Sequence, residues 1–315
     1  MHLSKIRMIK DLFSAMKLSD IHIRDPFVLP VQSEGRYYLY GTMGAHTWSE
    51  SAVGFDCYTS TDLESWEGHF PVFRPSADFW ADRNFWAPEV HTYDGQYFMF
   101  ASFKAKGVCR GTQILTAESP LGPFQPLSNG PVTPSDWECL DGTLFVAPEG
   151  NPWMVFCHEW VQVGDGEICA LPLSKDFASA AGEPVVLFRA SQAPWAQQVE
   201  WKRTGMKGYV TDGPWLHRLP GGELIMLWSS FSEGGYAIGV AHAVSGELLG
   251  PWVQNTHPLY NKDGGHCITF RDFDGNLWLS YHHPNHNPDE RPKLLSLTED
   301  QLVSPSPIVL NGDLK

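Results

Sequence analysis

The 315-residue chain has no run of about 18 apolar residues, so nothing in it is expected to cross a bilayer as a helix. It also has no basic run. Lys and Arg number 22 against 36 Asp and Glu, a formal charge of −14, which suits neither nucleic acid nor an anionic membrane surface as partner. The six cysteines, at 57, 109, 139, 157, 169 and 267, form no CxxC pair. That argues against a zinc ribbon or a thioredoxin-like site. An even number leaves a disulfide set open, but reduced, mostly buried thiols are the expectation. Charged residues are 18% and hydrophobic residues 43%, which excludes wholesale disorder. Helical spacing is nearly absent after residue 20.

Before that point it is present. Ile6, Ile9, Phe13 and Met16 fall near one face, so a short N-terminal helix docking on the body is expected. The same segment carries Lys5, Arg7 and Lys10 but no uninterrupted apolar stretch and no small-x-small cleavage site. It does not read as a signal peptide, and a cytoplasmic address is the expectation, unless a processed signal has been removed.

Aromatic residues are plentiful at 13%, with 13 Trp. Most should pack in cores and between strands, but flat rings are also what sugars stack on. Many of them recur in one unit. EGRYYLYGT (34–42), DGQYFMFASF (94–103), EGNPWMVFCHEW (149–160), GGELIMLWSSF (221–231) and DGNLWLSYHHP (274–284) each begin with a tight-turn pair and run on as a strand. A second strand-like run precedes each: DPFVLPV (25–31), APEVHTY (87–93), GTLFVAP (142–148), GPWLHRL (213–219) and HCITFRD (266–272). STDLESWEG (60–68), ESPLGPFQP (118–126) and SGELLGPWVQ (245–254) read as outer strands. The unit starts are 60, 55, 72 and 53 residues apart, room for about four short strands each. Five such sheets predict an all-β, five-bladed β-propeller. A β-sandwich is the runner-up, but it does not explain a five-fold recurrence. The expected organisation is a helical extension over 1–19 and one propeller over 20–315.

In a propeller the innermost strands surround an axis, and the residues opening them meet at one mouth. Here those residues are Asp25, Glu89, Asp141, Asp212 and His266. Each alone fits ordinary turn chemistry, but together they gather four carboxylates and an imidazole. Carboxylates held apart in a cleft are the tools of glycoside hydrolysis, one as acid and one activating water or attacking carbon. Opposite strands of a five-fold ring suit the wider spacing that gives inversion. Trp86 should stand near the mouth; Phe27 and Trp215 are further candidates to stack on a sugar. Alternation along a strand turns Arg24 away from Asp25, while Arg291 could reach the axis and His158, His282 and His283 could line the mouth.

At Arg24-Asp25-Pro26, YYLYGT (37–42), STDLESWE (60–67), WAPEV (86–90), LDGTLF (140–145), TDGPWL (211–216) and GGHCITF (264–270), the sequence resembles glycoside hydrolase family 43. This is a family of five-bladed arabinanases, arabinofuranosidases and xylosidases. The resemblance implies that Asp25 is the general base and that Asp141 tunes the acid's pKa. The family's acid is a Glu opening the fourth blade, where this chain has Asp212. Three readings follow: Asp212 is the acid, Glu159 or Glu200 has taken the role, or activity is weak or absent. The resemblance also suggests a calcium on the axis near His266, although calcium prefers oxygen. A His bonded to channel or substrate is the alternative. The expected substrates are α-L-arabinofuranosides or β-D-xylosides in small oligosaccharides, cleaved from the end.

Two rivals remain. A fructan-type retaining hydrolase would use Glu138 of Trp137-Glu138-Cys139 as acid/base, but that clan's Asn-Asp-Pro nucleophile segment is missing. A carbohydrate-binding propeller without chemistry would keep the aromatics but would not need acids at four blade openings.

Overall fold

The computed structural model describes residues 15–48, 51–202, 204–303 and 307. Five antiparallel sheets form the body, in chain order. The first comprises β1 (Ile23–Val31), β2 (Arg36–Met43), β3 (Phe55–Ser60) and β4 (Glu67–Phe73). The second has β5 (Arg83–Tyr93), β6 (Gln96–Lys104), β7 (Gly111–Ala117) and β8 (Gln125–Pro126). In the third are β9 (Cys139–Val146), β10 (Pro152–His158), β11 (Glu167–Pro172) and β12 (Val185–Arg189). The fourth has β15 (Asp212–Arg218), β16 (Leu224–Ser232), β17 (Gly235–Ala243) and β18 (Trp252–Gln254); the fifth has β19 (Gly265–Arg271), β20 (Leu277–His283) and β21 (Arg291–Leu297). A separate hairpin, β13 (Val199–Trp201) with β14 (Met206–Gly208), stands between blades 3 and 4.

The five repeated runs are the second strands, and the runs before them are the first strands. First strands touch in a ring: β1 meets β5 and β19, β9 meets β5 and β15, and β15 meets β19. This is the expected five-bladed propeller. The segments read as outer strands are mostly the turns that lead into β4, β8 and β18, because their Ser, Asp and Gly bond back on the local backbone. Ser60 and Asp62, for example, accept from Leu63 and Glu64.

The apolar core lies between adjacent blades. One cluster joins blades 5, 1 and 2 and another blades 2 and 3; two more join blades 3 and 4 and blades 4 and 5. Each sheet is therefore covered on both faces, which is why its strands read as near-continuous apolar runs and not as clean alternation. Most of the helical extension expected over 1–19 lies outside the described residues. Its end is extended, with Met16 bridging Trp66, and leads into a single turn at Leu18–Asp20. A helical turn at Glu299–Leu302 follows the last strand. All six cysteines are free, five of them buried.

Candidate active site

The first strand of every blade carries an irregularity at its opening. Pairing runs through Arg24 with Thr42, Trp86 with Ser102, Leu140 with Cys157, Asp212 with Ser229, and Gly265 with His282, and then slips. The next residue in each case is left-handed: Asp25 (φ 54°), Ala87 (46°), Asp141 (56°), Gly213 (50°) and His266 (50°). A bulge of this kind re-aims side chains and breaks strand alternation. Hence Arg24 and Asp25, and likewise Leu140 and Asp141, face one cavity of about 1150 Å³ at the mouth of the ring. Alternation placed Arg24 away from the site; the bulge overrides it.

The equivalent positions are therefore not the five chosen from sequence. Ala87 and Gly213 replace Glu89 and Asp212. Glu89 lies two residues beyond its bulge, buried, with Oε2 3.1 Å from His91 Nε2, and does not line the cavity. Asp212 stands one residue before its bulge and does line it. Asp25, Asp141, Asp212 and His266 converge: His266 Nδ1 is 3.3 Å from Asp25 Oδ1 and 3.6 Å from Asp141 Oδ2.

Their environments separate the three carboxyls. Burial alone would raise Asp25, but His266 and Arg24, with the Thr42 hydroxyl donating to Oδ2 at 2.6 Å, hold it well below the usual carboxylate range. The Asp25 N–H donates to His282 Nδ1 at 3.2 Å, so His282 is neutral and carries its proton on Nε2, which faces Asn285 Oδ1 at 3.1 Å. Burial agrees, pushing the His282 pKa down to about 3. Arg24 completes the loop, donating from Nη2 to Asn285 Oδ1 at 3.0 Å and from Nε to Asp25 Oδ1 at 3.4 Å. Asp141 is pushed well up by burial and by the charge of Asp25, although the Gly213 N–H donates to its Oδ2 at 2.9 Å. Burial and the neighbouring Asp141 lift Asp212 to about 7, against the Tyr236 hydroxyl, which donates to Oδ2 at 2.8 Å.

The walls bear aromatic rings and ion pairs. Trp86 lines the cavity as expected, with the Arg110 guanidinium 4.2 Å from its ring centroid and its Nε1 donating to Thr47 O. Arg110 also pairs with Glu159, so Glu159 lines the cavity as a salt-bridged group. Glu138 is held by Lys104 at 2.6 and 2.7 Å and by the Arg110 N–H; against burial these keep its pKa low, the opposite of what the fructan-type acid role needs. Glu200 lies on the exposed hairpin, paired with Lys207 at 3.3 Å.

Other candidates fall elsewhere. Phe27 is buried, edge-on to His91 and Trp215, and does not line the cavity. Trp215 donates to Thr269, also outside it. His158 stacks on Trp137 and lies 3.0 Å from Glu167, a structural role. Arg291 turns from the axis to Ser19 O, and His283 does not reach the cavity. Sequence reasoning missed Arg24, Trp48, Arg110, Tyr236 and Asn285. Tyr236 and Arg110 lie on or beside third strands, β17 and β7, which carry no motif.

The residues present do not make a direct calcium site. Calcium takes six to eight oxygens, whereas His266 Nδ1 faces two aspartates. Among the described residues no group of three or more His, Cys, Asp or Glu side chains is arranged to hold a metal.

Fold and site together define a five-bladed propeller with three unequal carboxyls at its mouth. The sequence profile of glycosyl hydrolases family 43 matches residues 19–301, and the chain belongs to that family. A solved endo-arabinase from Bacteroides thetaiotaomicron is 44% identical, with a TM-score of 0.83 over 90% of this chain and 96% of that one. A xylosidase/arabinosidase of Bacteroides ovatus is 23% identical over 79% of this chain and 82% of its own. An extracellular endo-α-(1→5)-L-arabinanase of Bacillus subtilis is 23% identical over 34% of this chain, and that match spans 36% of the relative.

Proposed function

We propose that the protein is an inverting glycosidase that cleaves α-L-arabinofuranosyl linkages in oligosaccharides. The observation that carries this reading is one cavity in which Asp25 is held by Arg24 and the Thr42 hydroxyl while Asp212 accepts, among the described residues, from Tyr236 alone. Asp25, ionised, accepts a proton from water as the water oxygen attacks the anomeric carbon. Asp212, protonated near neutrality, gives its proton to the departing glycosidic oxygen, so charge and protons balance. Asp141 lies beside Asp212 and helps keep that proton in place. Asp25 and Asp212 rise from blades 1 and 4, with blade 5 between them, which suits the separation that admits a water. Asp212 is favoured over Glu159 because Arg110 engages the Glu159 carboxylate, while no hydrogen bond to Asp212 Oδ1 forms among the described residues.

The 44% identical neighbour supports arabinose as the sugar; the relative named for both activities keeps β-D-xylosides as the second reading. The cavity, at about 1150 Å³, has room for an oligosaccharide, and the name of the 44% identical neighbour, an endo-arabinase, supports cleavage within the chain. The test uses α-1,5-linked arabino-oligosaccharides beside p-nitrophenyl arabinofuranoside and xyloside. Proton NMR should show the inverted anomer first, and a ladder of products should precede free arabinose. Asp25→Asn should lower kcat by about 10²–10⁴-fold with substrate still bound. Full activity in Asp25→Asn would remove the base from the mechanism.

A further inference from the structure

The five bulges are linked to one another. Opposite the residue before each bulge, the second strands place Thr42, Ser102, Cys157, Ser229 and His282. Four of these side chains reach out of their own blade and accept the bulge N–H of the next. Thr42 Oγ1 takes Ala87 N–H at 2.7 Å, Ser102 Oγ takes Asp141 N–H at 2.9 Å, Ser229 Oγ takes His266 N–H at 2.8 Å, and His282 Nδ1 takes Asp25 N–H at 3.2 Å. The last of these runs from blade 5 to blade 1 and closes the circle. The third blade differs. There the equivalent side chain is the Cys157 thiol, a weak acceptor. Gly213 N–H turns instead to Asp141 Oδ2 at 2.9 Å.

A bulge interrupts the ladder of its own blade, so that blade cannot fix the bulged residue by its regular hydrogen bonds. Left-handed φ is also disfavoured for Asp and His relative to Gly. One buried hydrogen bond from the neighbouring blade selects the conformer and hence the direction of the side chain.

We propose that this circle of cross-blade hydrogen bonds is the device that aims the site: Ser102, His282 and Ser229 are positioning residues for Asp141, Asp25 and His266, and Asp141 itself fills the place that Cys157 cannot. The proposal rests on the roles given above to the three aspartates. It makes Asp141 bifunctional, carboxyl neighbour to Asp212 and backbone grip on the blade that carries it.

Ser102→Ala, Ser102→Thr and the control Ser230→Ala test it. Ser230 Oγ is buried on β16 without a hydrogen bond among the described residues. Misplacement by about 1 Å costs about 100-fold. Ser102→Ala should therefore lose about 10- to 100-fold in kcat on that scale, with KM within about twofold. Ser102→Thr should keep most activity, and Ser230→Ala all of it. Wild-type kcat in Ser102→Ala, or an equal loss in Ser230→Ala, overturns the positioning role. For the third blade, Asp141→Ala is compared with Asp141→Ala/Cys157→Ser. A hydroxyl at 157 should recover about tenfold in kcat, part of the same misplacement penalty; no recovery overturns that assignment. Should the wild type hydrolyse no glycoside, the functional reading fails by itself. The circle is then judged by amide exchange, which must quicken at residue 141 in Ser102→Ala and stay unchanged in Ser230→Ala.

Discussion

At the scale of single residues, the site trades stability for protonation. Asp212 is raised to about 7 by burial and by Asp141. A group with a raised folded pKa favours the folded state below its unfolded value and loses that contribution as pH climbs through the folded value. The cost of Asp212 therefore builds from about pH 4, where the unfolded carboxyl ionises, up to about 7, so it is partial at pH 5 and full at pH 8. Asp212→Asn should raise Tm by at least about 2 °C at pH 8, and by clearly less at pH 5, while abolishing most hydrolysis. Equal shifts at both pH values in calorimetry would show that Asp212 is not the buried acid. The alkaline limb of kcat/KM in the wild type should fall near the same value. Asp25 and Asp141 were legible in the sequence because short motifs announced them. Glu89 was misplaced because it stands two residues past left-handed Ala87, the counterpart of Asp25, and composition does not mark which residue of a strand is bulged.

At the scale of elements, two devices shape the cavity. The first is the bulge. At Gly213, φ is 50° and an added Cβ would sit 2.9 Å from the His266 ring. Gly213→Ala should cost about 1–3 kcal/mol from the strained backbone and push His266 away from Asp25. Its kcat should consequently fall by more than its loss of folded protein at the assay temperature; a proportional fall would mean the ring contact is idle. The second is the β13–β14 hairpin, which brings Trp201, 45% exposed, to the cavity wall near Trp160. An exposed ring here suits a sugar distant from the cleaved bond. Trp201→Ala should raise KM for arabino-oligosaccharides about five- to tenfold, the equivalent of about 1 kcal/mol of stacking, and leave p-nitrophenyl arabinofuranoside unchanged. An equal effect on both substrates would place the ring at the reacting sugar. The first and second strands were readable from turn pairs and apolar runs. The hairpin was not, since VEW and MKG are too short to stand out from loop.

At the scale of the whole molecule, the propeller must close between its first and last blades. Among the described residues blade 5 has three strands and takes none from blade 1. Packing seals the seam, with Leu18, Ile21 and Ile23 in one apolar cluster with Ile268, Phe270 and Leu294. The Arg291 side chain donates across it to Ser19 O, and His282 to Asp25 N–H holds the seam at the axis. Leu294 is fully buried, so Leu294→Ala should cost about 2–5 kcal/mol in urea unfolding; a loss under about 1 kcal/mol, far below that range, would show that another contact carries the closure.

The amino-acid order alone determined how many blades there are, where each turns, and which two aspartates stand at their openings, because turn chemistry and strand composition are local properties written residue by residue. Tertiary structure alone decided which neighbours those aspartates have. Protonation, the engagement of Arg24 and His282, and the cross-blade grips all depend on side chains up to 261 positions apart meeting in a low-dielectric mouth, as Arg24 and Asn285 do. No local pattern records such meetings, since they exist only once five sheets have closed on a common axis.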